Sequence, residues 1–229
     1  MHTKGTDVKG RQDRRVAQGD ATRASLVKAA RELFGEQGYV DTSLDEIVAR
    51  AGVTKGAVYH HFDGKEGLFR AVFEQVHTEV TDQAAAEFLR PDSWVALLDG
   101  CALWIDAHLD PAVRTIALQD ARAVLGWDEV RGIENRFGAV ALRGALRKAM
   151  HAGVLEQRPL RPLALLLMGA LGEGCLYIAE SNEPDEARTE VLALITDMLS
   201  AFRLTQEATA SREPARAAGA GAGGPGRFP

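Results

Sequence analysis

The chain has 229 residues, 46% hydrophobic and 26% charged, which suits a globular protein of one large or two small domains with a real core. No apolar run reaches the roughly 20 uninterrupted residues of a membrane-spanning helix, and Met1 to Gly5 lack the apolar centre of a signal peptide, so a cytoplasmic protein with no membrane partner is expected. Two cysteines, Cys101 and Cys175, lie far apart inside apolar helical patterns, which excludes a disulfide framework and a C-x-x-C zinc module.

The formal net charge of −5 is unevenly spread: 11 Lys/Arg face 9 Asp/Glu through Lys65, against 16 and 23 beyond it. Such asymmetry hints that only the first part meets a phosphate backbone. Residues 1–20 carry Lys4, Lys9, Arg11, Arg14 and Arg15 with no periodic apolar face, which predicts a disordered basic arm. From Thr22 the pattern turns helical, with Leu26, Ala30, Leu33 and Phe34 on one stripe and Gly38 at its end. Ser43-Leu44-Asp45-Glu46 is a capping box, in which the serine hydroxyl and the glutamate carboxylate each satisfy a free backbone N–H. Leu44, Ile47, Val48 and Ala51 form the stripe of a short second helix, which Gly52 closes where the chain needs positive φ. Thr54 is the expected N-cap of a third helix ending at Asp63-Gly64, and Lys65 opens a long fourth on Leu68, Phe69, Val72 and Val76. Beyond Arg90-Pro91 the chain still reads as helix, broken at Asp110-Pro111, Gly126, Gly153 to Pro162 and Glu183-Pro184. No stretch alternates like a strand, and the Ala/Gly/Pro tail, residues 205–229, is predicted to be disordered. An all-α chain of about nine or ten helices results.

Two short helices joined through Gly52 form a helix-turn-helix pattern, 43–62, whose second helix suits the major groove of DNA. On its wheel Val58 and Phe62 mark the buried side, Gly56 and His60 lie opposite, and Tyr59 and His61 flank them. His60 then points at base edges, Gly56 permits close backbone approach, and Tyr59 and His61 reach phosphates on opposite walls of the groove. Lys55 and Lys65 add charged contacts, and Thr42 and Thr54 supply hydroxyl donors. Wheel geometry alone leaves open that these are ordinary exposed side chains. His60 and His61 are adjacent rather than at i, i+4, and His2, His77, His108 and His151 show no ligand spacing, so no metal site is expected.

The run "TRASLVKAARELFGEQGYVDTSLDEIVARAGVTKGAVYHHFDGKEGLFRAVFE" resembles the DNA-binding domain of the tetracycline-repressor (TetR) family of bacterial transcription regulators. The likeness rests on A-A-x-x-L-F-x-x-x-G-Y, on T-S-x-x-x-I followed here by Val48, and on K-G-x-x-Y-x-H-F-x-x-K-E-x-L. It implies an N-terminal three-helix helix-turn-helix domain, 21–80, and a C-terminal helical ligand-binding and dimerisation domain, 91–204. DNA contacts are implied at Thr42, Thr54, Lys55, Gly56, Tyr59, His60, His61 and Lys65. The implied partners are double-stranded operator DNA, a second copy of the chain and an unidentified small-molecule effector; no cofactor is expected.

In the C-terminal half, the helix from Leu160 is apolar almost all round, with Gly169, Gly172 and Gly174 near its centre. With the following helix, on Val191, Leu194, Ile195, Met198, Leu199 and Phe202, it predicts a four-helix dimer interface, an intrachain core being the alternative. Glu173 is a carboxylate inside that apolar helix and needs a partner, either an arginine such as Arg143 or Arg147 or a cationic ligand. Cys101, Trp104 and His108 share one face of an earlier helix and, with Trp127, Phe137, Glu173 and Tyr177, are the expected lining of a small-molecule pocket, although such stripes also serve as plain core. No Gly-rich phosphate loop, G-x-S-x-G elbow or H-E-x-x-H is present, so enzymatic activity is not expected; a protein-recruiting helical module remains the other rival.

Overall fold

The computed structural model describes the backbone of residues 5–204 and the side chains of residues 16–204. Among the described residues the chain forms eleven α-helices, one π-helical segment and a single isolated bridge between Leu155 and Arg203. Helix α1 spans Gly5–Asp41, α2 Leu44–Ala51, α3 Lys55–His61 and α4 Gly64–Phe88. Helix α5 spans Ser93–Leu109 and α6 Pro111–Arg114, followed by the π segment Thr115–Asp120. Helices α7 (Ala121–Leu125), α8 (Trp127–Arg136), α9 (Gly138–His151), α10 (Leu160–Glu180) and α11 (Pro184–Ser200) complete the chain. The start of the expected arm, residues 1–4, and the expected tail, 205–229, lie outside the described residues.

The helix begins at Gly5 rather than near Thr22, so the backbone of residues 5–20 is helical where a disordered arm is expected from composition. Once Leu26, Ala30 and Phe34 are locked into the core, extending the helix N-terminally costs no new nucleus, and the run carries Lys9, Arg11, Gln12, Arg14, Arg15, Ala17 and Gln18, good helix formers. At the other end Gly38 interrupts α1 with φ 80 and ψ 172, a conformation open essentially to glycine alone. The bend turns Thr42 inward, and the chain then re-enters helix through the predicted capping box. Glu46 N–H donates to Ser43 Oγ at 3.2 Å, and Ser43 N–H donates to the Glu46 carboxylate at 2.8 Å. Gly52 ends α2 at φ 67, as expected.

A single apolar cluster runs from Leu26, Phe34 and Ile47 through Phe69, Phe73 and Val76 of α4 to Leu97 and Ile105 of α5 and on to Leu167 and Ile195. Helix α4 therefore belongs to both halves. Its far side is tied to α8 by ion pairs of Arg70 with Glu129 and of Glu74 with Arg136, the latter at 2.7 Å. The two halves also approach closely at Gly35, where a Cβ would stand 2.6 Å from that of Ala112.

Helix α10 is long and apolar enough, by length and composition, to cross a membrane, but Leu163, Leu167, Leu171, Cys175 and Ile178 are built into this core. Its near-uniform hydrophobicity has two causes. One side packs inside the protomer, and Gly174 admits Val191 of α11 there, since a Cβ on it would lie 2.7 Å from a Val191 methyl. The other side carries Leu166, Gly169, Glu173 and Tyr177, all exposed, beside exposed Leu194 and Met198 on α11. The residues expected at a dimer interface thus divide: Leu163, Leu167, Leu171, Cys175, Ile178, Val191, Ile195 and Leu199 are intrachain core.

Gly38→Ala is expected to lower the unfolding free energy by about 1–3 kcal/mol, the cost of forcing a Cβ into that backbone conformation. Urea denaturation at fixed protein concentration measures it, and a loss under about 0.5 kcal/mol would show that the bend tolerates other residues.

Candidate functional site

Helix α3 is held by Val58, fully buried, and by Phe62, over whose ring the Arg23 guanidinium of α1 sits at 5.2 Å. That anchoring leaves Thr54, Lys55, Gly56, Tyr59 and His60 exposed along one outward surface, with His61 half-buried beside α1 at Gly19. The side chains brought together are those of the helical wheel. Gly56 has open space where a Cβ would stand, apart from the Thr54 hydroxyl at 3.9 Å, so nothing among the described residues requires glycine there. The Thr54 hydroxyl makes no capping bond, and Tyr59 is 62% exposed. Lys55 pairs with Asp45 of α2 at 2.9 Å, an exposed contact that a phosphate can replace.

Two expected contact residues are placed differently. Thr42 is buried, its hydroxyl donating to the Gly38 carbonyl at 2.7 Å, so it offers no free donor. Lys65 donates to the carbonyls of Tyr39 and Thr42, both at 2.7 Å, with its ammonium 4.1 Å from the centre of the Tyr39 ring. Its charge satisfies carbonyls freed where α1 ends, so it frames the helix-turn-helix instead of extending from it. Sequence spacing cannot show this, because the partners are backbone oxygens exposed by the Gly38 bend.

A second concave site lies in the C-terminal half, a cavity of about 220 Å³. Of the expected lining, Trp104, His108, Trp127 and Glu173 border it. Cys101 does not: it faces the other side of Trp104, toward Phe88 and Leu142. Phe137 packs against the core and caps α9 with its carbonyl, which accepts from Val140 and Ala141. Tyr177 is exposed, and its hydroxyl donates to Glu190 at 3.2 Å. Glu173 is itself exposed on α10, so its carboxylate is hydrated rather than buried, and neither Arg143 nor Arg147 pairs with it among the described residues. Both cysteines are buried with thiol pKa values pushed up to about 12 by burial, hence inert.

The cavity adds His77, Arg122, Arg131, Glu134 and Asn135, which helical periodicity did not single out. A sequence signal exists for His77, a titratable residue one position after Val76 in a buried stripe. His77 and His108 come from different helices, yet their rings lie 5.8 Å apart, and Trp104 stacks on His108 at 3.8 Å. His77 Nε2 and Trp104 Nε1 are buried without a hydrogen-bond partner among the described residues. Burial pushes His77 from 6.5 down to about 3, with His108 adding to the effect, and pushes His108 to about 4 against the opposing bond to the Trp104 carbonyl. Burial likewise raises Glu134, against Arg122 and Arg131. Among the described residues no three His, Cys, Asp or Glu side chains converge as a metal set.

The two sites are joined by the π segment. Ala117 and Leu118 line the cavity, and Asp120, at the end of the segment, accepts the Tyr39 N–H at 2.7 Å beside the Gly38 bend. Irregular turns of this kind occur often at functional sites.

Residues 26–72 match the family of bacterial regulatory proteins called tetR, and residues 94–202 match the tetracyclin repressor-like C-terminal domain. The HTH-type transcriptional regulator SrpR of Pseudomonas putida is 46% identical over 191 residues, which are 78% of this chain and 84% of that one. The chain belongs to the TetR family. A TetR-family regulator from Pectobacterium atrosepticum, 32% identical, superposes with a TM-score of 0.72 over 82% of this chain and 97% of its own. RolR in complex with resorcinol, at 20% identity and a TM-score of 0.64 over 86% and 94% of the two chains, shares the fold. The protein is thus a helix-turn-helix DNA-binding transcriptional regulator, with the TetR-type C-terminal domain around the cavity.

Two measurements follow. Lys55→Gln is expected to reduce the slope of log Kd against log salt by about one, while Lys65→Gln lowers Tm and leaves that slope within about half a unit. A slope change at Lys65 equal to that at Lys55 would place its ammonium on phosphate. The buried imidazoles bind protons in the unfolded chain near pH 6.5 but in the fold only near 3 to 4. Stability is therefore complete above about pH 6.5 and is lost as pH falls toward 4, on the order of a few kcal/mol per imidazole. Urea midpoints at pH 7 and 5 should differ less in His77→Phe than in wild type.

Proposed function

We propose that the protein is a cytoplasmic homodimeric repressor that leaves its operator when a small molecule occupies the cavity beneath Trp104 and His108. The observation that carries the reading is the π segment, which touches the cavity through Ala117 and Leu118 and the DNA-binding half through Asp120. A ligand that prefers a different setting of this segment shifts Asp120 against Tyr39, and with it the helix-turn-helix. Helix α4, carrying His77 at the cavity and beginning at Gly64 directly after α3, provides a second connection.

The exposed apolar stripe of Leu166, Tyr177, Leu194 and Met198 supports pairing of two copies through α10 and α11. Two copies of α3 then read half-sites about one helical turn apart, with His60 at base edges, Gly56 giving the backbone its approach, and Thr54, Lys55, Tyr59 and His61 on phosphates. Thr42 and Lys65 serve by shaping this unit. The resorcinol bound by RolR is consistent with a compact aromatic effector, although the two chains share only the fold at 20% identity.

The test is selection of binding sites from random DNA by the full chain, followed by salt titration of wild type and His60→Ala. Specific binding lost selectively in the variant is expected; binding no tighter than to random DNA overturns the reading. Asp120→Ala, remote from α3, should weaken specific binding by about tenfold, the scale of one charge-assisted hydrogen bond, and an unchanged Kd would remove the π segment from the route.

A further inference from the structure

The cavity constrains the chemistry of its occupant. His108 Nδ1 lies 2.8 Å from the Trp104 carbonyl oxygen. A carbonyl oxygen only accepts, so Nδ1 carries the proton and Nε2 keeps a bare lone pair. Because Nδ1 turns back onto its own helix, the Nε2 edge is directed away from α5, toward the cavity that His108 borders. Beside it, His77 Nε2 is buried and unpartnered, an uncommon cost in a folded core. This end of the cavity therefore offers a hydrogen-bond acceptor of fixed tautomer beside the His77 ring, and it holds no formal charge.

The rest of the lining sets shape and charge. Trp104 and Trp127 supply aromatic walls, with Leu118, Leu165 and Met168 filling between them. The volume of about 220 Å³ lies below the usual range for drug-sized ligands and fits one or two fused rings. The four charged side chains, Arg122, Arg131, Glu134 and Glu173, are two of each sign. Arg122 is already stacked on Trp127 at 4.8 Å. Neither an anion nor a cation finds an unbalanced partner there, and at the histidine end an ionised group would lose its hydration without a counter-charge.

We infer that the effector is a neutral hydroxylated aromatic compound of one or two rings, whose O–H donates to His108 Nε2 while its ring lies between Trp104 and Trp127. This deepens the effector reading given above and rests on it. A hydroxyl suits the site because it can donate to the His108 lone pair without bringing a charge into the cavity. A methyl ether of the same shape has no proton to give and leaves the His108 lone pair buried and unmet.

The experiment is equilibrium dialysis of the full chain against four probes of one shape: 2-naphthol, 2-methoxynaphthalene, 2-naphthoate and 2-naphthylmethylammonium, at pH 7. 2-Naphthol should bind about tenfold or more tightly than its methyl ether and than either ion. In His108→Phe the difference between naphthol and ether should shrink below about threefold. The wild-type comparison stands alone should that variant fail to fold. An ether that binds as tightly as the naphthol, an ion that binds most tightly, or no binding by any probe overturns the inference. In each of those cases release of selected operator DNA by a compound of another class would keep the effector reading, whereas DNA binding indifferent to every compound in a broad screen would remove both.

Discussion

Helix α4 is shared by the cores of both halves, and that constraint organises the molecule. From Leu68 through Val80 it buries residues toward α1 and α3 on one side and toward α5 on the other, while Arg70 and Glu74 hold its remaining flank to α8. Two halves that share one apolar cluster cannot move freely as separate bodies; a shift in one must be met by repacking in the other. The same helix brings His77 to the cavity and leads directly into the helix-turn-helix. Coupling between the proposed small-molecule site and the proposed DNA surface would therefore run through packing along one element, with the Asp120–Tyr39 bond as a parallel link.

The helix-turn-helix was readable from the chain because it is made by local rules. The capping box at Ser43, the positive φ at Gly52 and the buried Val58 each depend on residues within a few positions, so periodicity and cap chemistry place them correctly. The placement of Thr42 and Lys65 is not legible from spacing because it depends on the Gly38 bend, which turns one hydroxyl inward and exposes two carbonyls to a lysine more than twenty positions on. Residues 5–20 look unstructured by composition, yet their backbone follows the helix that Leu26 and Phe34 anchor. Local composition has no access to a nucleus supplied from outside the window.

The cavity was half legible for a related reason. Trp104, His108 and Trp127 stood out as aromatic or titratable positions near a helix face or break. His77 did not, since its significance comes from a neighbour on another helix. Glu173 illustrates the opposite error: an apolar helix suggests burial all round, but α10 has one face inside the protomer and one outside, and a carboxylate on the outer face has water. Cys101 and Trp104 share a helical face, yet the width of the indole separates them into different spaces.

The pairing of Lys55 with Asp45 bears on how such a protein searches a chromosome. In the free molecule the most prominent cation of the recognition helix already has a carboxylate partner 2.9 Å away, so meeting a phosphate exchanges one ion pair for another. A phosphate met in this way still sheds its condensed counterion, but the loss of the Asp45 contact offsets part of the gain, so the hold on bulk DNA is looser than an unpaired lysine would give. A loosely held protein samples more positions in a given time and spends less of its population on irrelevant ones. Under the proposed reading, discrimination rests on the contacts of His60 and on the helix backbone at Gly56, and the acidic C-terminal half disfavours an approach that does not present α3.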